Sequence, residues 1–321
     1  MIEMIRVVDV DCWPEVLNGF DRALVRQHFS PETIRTYRGG LRDLVGFLIA
    51  RGCESVRQLN RELLEQWQDQ LAARSLRPAT CSMYSTAVRR FLRWAADQEL
   101  VEERLERSIA RIHVPDGLPR PLPPQDLEVI RAYLYPRRPR MGIVALRDRA
   151  LFFYLVTSGA RVSEALQVRK DDFADPIVRQ KGGTNKVLRI PPATVAFVSD
   201  YVQERKDDSP WLWISHKTNA PLGRLGPAGV REVWRKLAAK LGLKPWTTHQ
   251  LRHTCCTELL EAEVPSLVVM DHMGHHGLGS QHIYGQVRDK QRQQAMEAMQ
   301  RLAVGARPDL LPRLSTGGPW Q

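Results

Sequence analysis

The run HVPDGLPRPLPPQ, residues 113–125, carries five prolines and a glycine in thirteen positions. Proline fixes φ and has no N–H to donate, so neither a helix nor a sheet ladder can run through this stretch. A chain of 321 residues has length for about two domains at the usual 100–200 residues each. The Pro-rich run says where they divide: a first domain over 14–111, a linker over 112–123, a second domain over 124–304, and a tail over 305–321 whose prolines and glycines predict flexibility.

Ahead of that run the pattern is helical only. Ser30-Pro31-Glu32 reads as an N-cap, a first-turn proline and a first-turn acid, and Leu41, Leu44, Val45, Leu48 and Ile49 follow at helical spacing until Gly52. Asn60 opens a second segment and Pro78 a third. In the third, Tyr84, Val88, Phe91, Leu92 and Ala95 make an apolar face, with Arg89, Arg90 and Arg93 opposite. With a short helix before Phe29, this predicts a bundle of four or five helices. Beyond the linker, helices are expected at 126–134 and 146–158, then two β-like runs at 177–180 and 186–190 around the turn KGGTN. Further helices are expected at 193–205, 229–241, 249–261, 266–272 and 289–302. The fold class is mainly α: a helical first domain and an α+β second domain with a small sheet.

The net charge is +11, and its placement is uneven. Residues 1–107 hold 16 Arg, no Lys and 16 acids, so the whole surplus lies in 108–321. Lys and Arg that neutralise phosphates release counterions, which makes a polyanion the expected partner. With 43% hydrophobic and 26% charged residues, bulk disorder is excluded. The strongest apolar run, near 151–156, is far short of the ~20 residues that cross a bilayer, and the N-terminus has acids where a signal peptide needs bases. Cys12, Cys53, Cys81, Cys255 and Cys256 form no CxxC pair, so a reducing cytoplasm is expected.

No phosphate-binding glycine loop, HExxH or serine elbow is present. His249 and His253 are four apart, and His272, His275, His276 and His282 crowd one stretch, yet a zinc site also needs carboxylates or thiolates at ligand spacing, and the adjacent Cys255 and Cys256 face different ways on a helix. No metal is expected. Four segments share a different logic. TSGARVSEAL places Arg161 after a turn with Glu164 three residues on, where a carboxylate orients a guanidinium. The hairpin turn offers Lys181 and Lys186. THQLRH sets His249 and Arg252 on one face at a helix start, favourable to anions. HMGHHGLGSQHIY brings His275 and then, nine residues on, Tyr284. Together they supply donors for one phosphate and one nucleophile.

In these segments the chain resembles the tyrosine recombinase family, the phage-integrase-like DNA strand-exchange enzymes. TSGARVSEAL is similar to the family's TGLRxSEL box, THQLRHTCCTELLE to HxLRHTFATxLL, and MGHHGLGSQHIYGQV to LGHxxxxxTxxYxHV. SPETIRTYRGGLRDLVGFL and RPATCSMYSTAVRRFLRWA look like the helical stretches of its SAM-like core-binding domain. The likeness covers roughly residues 20–295. Met273 stands where leucine is usual, and His276-Gly277 and Gly285-Gln286 also depart from the pattern.

The resemblance implies site-specific DNA recombination through a 3′-phosphotyrosyl intermediate and strand exchange at a Holliday junction, serving a mobile element or plasmid or chromosome resolution. Tyr284 is the implied nucleophile; Arg161 and Arg252 would grip the non-bridging oxygens, His249 would assist proton movement, and His275 would hydrogen-bond the phosphoryl group. Lys181 would protonate the leaving 5′-oxygen, with Lys186 able to serve instead, and Glu164 would brace the site. Arg89, Arg90, Arg93 and Lys186 are the expected DNA contacts. His253, His272 and His282 read as structural or solvent-facing. No cofactor is implied. The implied partners are double-stranded target sites and a homotetramer on paired sites, with a second recombinase or accessory protein as a possible addition, in a prokaryotic, nucleoid-associated setting. With little chain before residue 14, no further DNA-binding domain is expected there. Two alternatives stand beside this: a catalytically inactive DNA-binding regulator on the same fold, and a topoisomerase-like nicking and closing enzyme. The apolar stripe Ala295, Met296, Met299, Leu302 and Ala303 is expected to dock on a neighbouring subunit.

Overall fold

The computed structural model of the protein describes residues 11–115, 120–136, 141–180, 183–216, 223–274 and 289–304. Among these residues the chain forms twelve α-helices and one two-stranded sheet, in two compact units, Met1–Gly117 and Leu118–Gln321. None of the described helices is long and apolar enough to cross a membrane.

The first unit contains α1 (Trp13–Arg26), α2 (Pro31–Ile49), α3 (Arg61–Ala73) and α4 (Pro78–Asp97). Three of them begin where the sequence signals a start. Ser30 Oγ accepts the Thr33 N–H at 3.2 Å, Asn60 Oδ1 accepts the Leu63 N–H at 3.0 Å, and Pro78 opens α4. α2 and α4 form the central pair, and Gly40 sets their spacing: a Cβ there would lie 3.0 Å from Tyr84 Cα and 3.1 Å from Ala87 Cβ. Phe20, Leu44, Leu48, Trp67, Phe91 and Leu92 are buried between the helices, each such side chain stabilising the fold by about 1.5–3 kcal/mol. Trp67 keeps a polar handle, its Nε1 donating to Asp43 Oδ1 at 3.0 Å.

The second unit runs α5 (Pro124–Leu134), α6 (Ile143–Ser158), α7 (Val162–Ala165), β1 (Ile177–Arg179), β2 (Asn185–Val187), α8 (Pro192–Gln203), α9 (Pro227–Leu241), α10 (Thr248–Glu261), α11 (Ser266–Met273) and α12 (Asp289–Val304). α6 is its axis. Every residue from Ala150 to Ser158 is buried, as a helix apolar on all sides must be, and α8, α10 and α12 pack around it. The strands are antiparallel, with Ile177 opposite Val187, Val178 opposite Lys186 and Arg179 opposite Asn185. They are shorter than the apolar pattern suggests. Leu188 and Ile190 stay buried beyond the ladder, because the chain turns toward α8 at Pro191.

α12 corrects one expectation. Its apolar stripe is covered by the same chain: Ala295, Ala298, Met299, Leu302 and Ala303 are buried against α6, α8 and α10. Gln300 Oε1 accepts the Ala193 N–H at 3.1 Å, meeting one of the donors that the start of α8 leaves open. The stripe called for a covering surface, and the all-apolar α6 supplies one within the unit.

Candidate active site

Arg161 follows Gly159, which ends α6 in the left-handed region at φ 58°. The glycine is needed twice over, since a Cβ there would also meet Met273 Cε at 2.8 Å. The turn aims the Arg161 side chain back over α7. Glu164, 1% exposed, holds it from below: one carboxylate oxygen accepts the Arg161 backbone N–H at 2.9 Å and the other accepts its guanidinium at 2.8 Å. The i,i+3 spacing of the sequence is thus realised as a bidentate brace.

Arg252 projects from α10, whose start is fixed by a capping box between Thr247 and Gln250. Its guanidinium is buried and reaches two main-chain carbonyls, Gly159 at 2.6 Å and Met273 at 2.5 Å. Burial, and next the nearby Arg161 charge, pull its pKa below the usual arginine range.

Lys186 completes the group. Paired with buried Val178, it turns its side chain to the inner face of the hairpin, across Gly274. A Cβ on Gly274 would lie 3.2 Å from Lys186 Cδ. The ammonium is enclosed and has no hydrogen-bond partner among the described residues. Burial lowers its pKa to about 8; Glu164 opposes that shift, while Arg252 and Arg161 add to it. Expected as a DNA contact and as an alternative to Lys181, Lys186 lies beside Glu164, Arg161 and Arg252.

Among the described residues, three cations therefore surround one carboxylate, that of Glu164, in a partly dry space. Uncompensated buried charge is costly, so such a pocket favours an incoming dianion or monoanion such as a phosphodiester. His249 sits in the exposed first turn of α10, its ring edge-on to His253 with centroids 4.5 Å apart. Burial, then the neighbouring His249 and Arg252, push His253 below the usual histidine range. Lys181, His275 and Tyr284 lie outside the described residues. Among the described residues no group of three or more His, Cys, Asp and Glu gathers as a metal site would require.

In the first unit, an open groove of about 340 Å³ is lined by Tyr37, Ser82, Thr86, Arg89, Arg93 and Arg111 among others. The three expected arginines differ. Arg89 donates to the Ile109 carbonyl at 3.1 Å, Arg90 donates to Gln27 at 2.6 Å and lies over the Phe29 ring, and Arg93 is exposed. Arg111 was missed by helical patterning because it stands past the last helix of the unit, where no periodicity points to it. The carbonyls of Gly159 and Met273 were missed too, since main-chain acceptors leave no mark in the sequence.

Residues 134–291 match the phage integrase family, and residues 17–99 match the phage integrase N-terminal SAM-like domain. The chain is 31% identical over 280 residues to the tyrosine recombinase XerC of Rhodospirillum centenum, spanning 80% of this chain and 78% of that one. It is 30% identical over 268 residues to the tyrosine recombinase XerD of Caulobacter vibrioides, spanning 79% and 86%. Its fold is similar to that of the XerH site-specific recombinase in a post-cleavage complex with difH, at TM-score 0.62 and 19% identity over 82% of this chain and 78% of that one. It is also similar to the Tn1549 transposon integrase bound to circular intermediate DNA, at TM-score 0.57 and 15% identity over 88% and 98%. Two matched segments in the family's order, and relatives alike along most of both chains, lead to one conclusion: this chain belongs to the phage integrase family of tyrosine recombinases.

Proposed function

We propose that the pocket formed by Arg161, Glu164, Lys186 and Arg252 receives a scissile DNA phosphate and that Tyr284 attacks it. The observation that carries this reading is the gathering of two guanidiniums, and of an ammonium with no hydrogen-bond partner among the described residues, around the buried Glu164 carboxylate. Arg161 engages that carboxylate directly, while Arg252 is held by two main-chain carbonyls beside it. The phenolic oxygen of Tyr284 forms a bond to phosphorus, the bond from phosphorus to the 5′-oxygen breaks, and a 3′-phosphotyrosyl link remains. The departing 5′-oxygen takes a proton, and the tyrosine loses one. Arg161 and Arg252 neutralise charge building on the non-bridging oxygens. His249 and His275 supply further hydrogen bonds and assist proton movement. Attack by the freed 5′-hydroxyl of a second duplex reverses the step and exchanges strands, which requires two sites and four subunits. The bound energy stays in the tyrosyl ester, so chelators leave the rate unchanged.

Resemblance assigns the proton donor to Lys181. A specific observation favours Lys186 for the same step: its ammonium lies in the pocket, with a pKa of about 8 that suits proton transfer near neutral pH. A 5′-bridging phosphorothiolate substrate decides between them, because a sulfur leaving group needs no proton. Rescue of Lys181→Ala names Lys181; rescue of Lys186→Ala names Lys186. The nucleophile is tested with a nicked suicide substrate and denaturing gels. Tyr284→Phe is expected to bind its site within a few-fold and form no covalent adduct; an adduct from the Phe variant overturns the assignment.

A further inference from the structure

His272 occupies the last turn of α11, two residues before the Gly274 over which the Lys186 side chain passes. It is 8% exposed, and its environment is unusual for an imidazole. One ring nitrogen hydrogen-bonds the Thr157 main chain, and that bond favours the protonated nitrogen, so the partner is the Thr157 carbonyl. The same carbonyl accepts the Cys255 thiol at 3.2 Å. The other nitrogen, Nε2, is buried and has no partner among the described residues. With Nδ1 carrying the proton, Nε2 presents a lone pair to the interior.

Burial, then Lys186, then Arg252, hold His272 neutral, with a pKa down at about 3. A neutral imidazole is an acceptor at that position and nothing else. Lys186 Nζ is a buried donor with no acceptor among the described residues, and its side chain passes Gly274, two residues from His272. A buried donor and a buried acceptor left unmet each cost about 1–3 kcal/mol, which a hydrogen bond between them, direct or through one water, would offset.

We infer that His272 is a positioning residue for Lys186, its Nε2 accepting a hydrogen bond from the ammonium, directly or through one water, and so keeping that cation in the phosphate pocket. The inference rests on the reading that Lys186 faces the scissile phosphate. It gives His272 a purpose that packing alone does not require, since a leucine would fill the same turn without an orphaned nitrogen. Among the described residues, the titratable groups that act on Lys186 are Glu164, Arg161, Arg252 and Cys255, and those that act on His272 are Lys186, Arg252 and Arg189 beside the Thr157 carbonyl. The Gln180 amide lies against Gly274 next to Lys186. Among these charged side chains Glu164 alone is negative, and it is already engaged by Arg161.

Two measurements on the full-length chain test this. In DNA-free protein, competitive acetylation at stepped pH, read by peptide mass spectrometry, gives the titration midpoint of Lys186. His272→Leu removes the acceptor that favours the ammonium and is expected to lower that midpoint by about one pH unit, whereas His272→Gln keeps an acceptor oxygen and restores most of it. On a suicide substrate, His272→Leu is expected to slow adduct formation roughly tenfold, the scale of one hydrogen bond to a charged group. The double variant with Lys186→Ala should then be no slower than Lys186→Ala alone. An unmoved midpoint, or losses that multiply in the double variant, overturns the inference; thermal melting of both His272 variants keeps a folding defect from imitating the effect. Absence of any adduct from the unaltered chain would instead overturn the proposed function, while the acetylation midpoint still decides the role of His272.

Discussion

Arg252 donates to two carbonyls at the C-terminal ends of α6 and α11, where helix dipoles concentrate negative charge. A lysine there is a point charge and cannot fork between both. Arg252→Lys is therefore expected to leave one buried carbonyl unmet, destabilising the fold by about 1–3 kcal/mol, and to cut single-turnover cleavage by roughly 10²–10³. Urea melts and adduct kinetics on the same preparation measure the two losses. Lys186 makes the opposite prediction for stability. Its pKa falls from 10.5 to about 8 on folding, so between those values the unfolded chain binds a proton that the folded chain does not. Stability therefore rises with pH across that window, and below it the full penalty applies. Lys186→Met is expected to be more stable than the parent chain at pH 7, on the order of 3 kcal/mol if the whole shift counts, with the advantage shrinking from pH 8 to 10.5. Denaturant midpoints at pH 7, 9 and 10.5 check the sign.

At the scale of elements, α12 gives the clearest test. Because its buried face completes the wrapping of α6, truncation after Val287 is expected to expose that core, lower the melting temperature and weaken single-site DNA binding in parallel. Normal single-site binding by the truncated chain, in native gels, would show that the helix contributes nothing to its own unit. The sequence made the long elements legible because caps and periodicity mark them: Ser30, Asn60, Pro78 and the unbroken apolar run in α6 all lie where the structure needs them. It made the boxes around Arg161 and Arg252 legible for the same local reason. α7 was not legible, since four residues are too few to show a period. The partner surface for α12 was hidden as well, because an apolar stripe states that it must be covered and does not say by what. The environment of Lys186 and His272 depends on Gly274 letting the hairpin lie against α11, a contact between segments about 90 residues apart.

Across the whole molecule, the basic surplus of the second unit is less available to DNA than a count implies. Arg147, Arg149, Arg205 and Arg252 are buried, and Arg205 is spent on Asp207 and the carbonyls of Trp211 and Leu212. Net charge does not separate arginines left free on the surface from arginines that fasten loops. The first unit, neutral overall, shows the same division within one helix. Arg93→Ala is expected to weaken DNA binding at all sequences and reduce the slope of log K against log salt by about 1, the signature of one lost phosphate contact. Arg89→Ala, which releases the Ile109 carbonyl, is expected instead to lower thermal stability, and salt-titrated binding alongside melting curves distinguishes the two. The double hold of Arg252 on α6 and α11 has a consequence for descent. A lineage that gave up strand cutting but kept the duplex-binding body could lose its tyrosine hydroxyl freely, yet could not discard this arginine without loosening two helix ends. In an inactive descendant Arg252 would outlast the tyrosine, kept by architecture and not by chemistry.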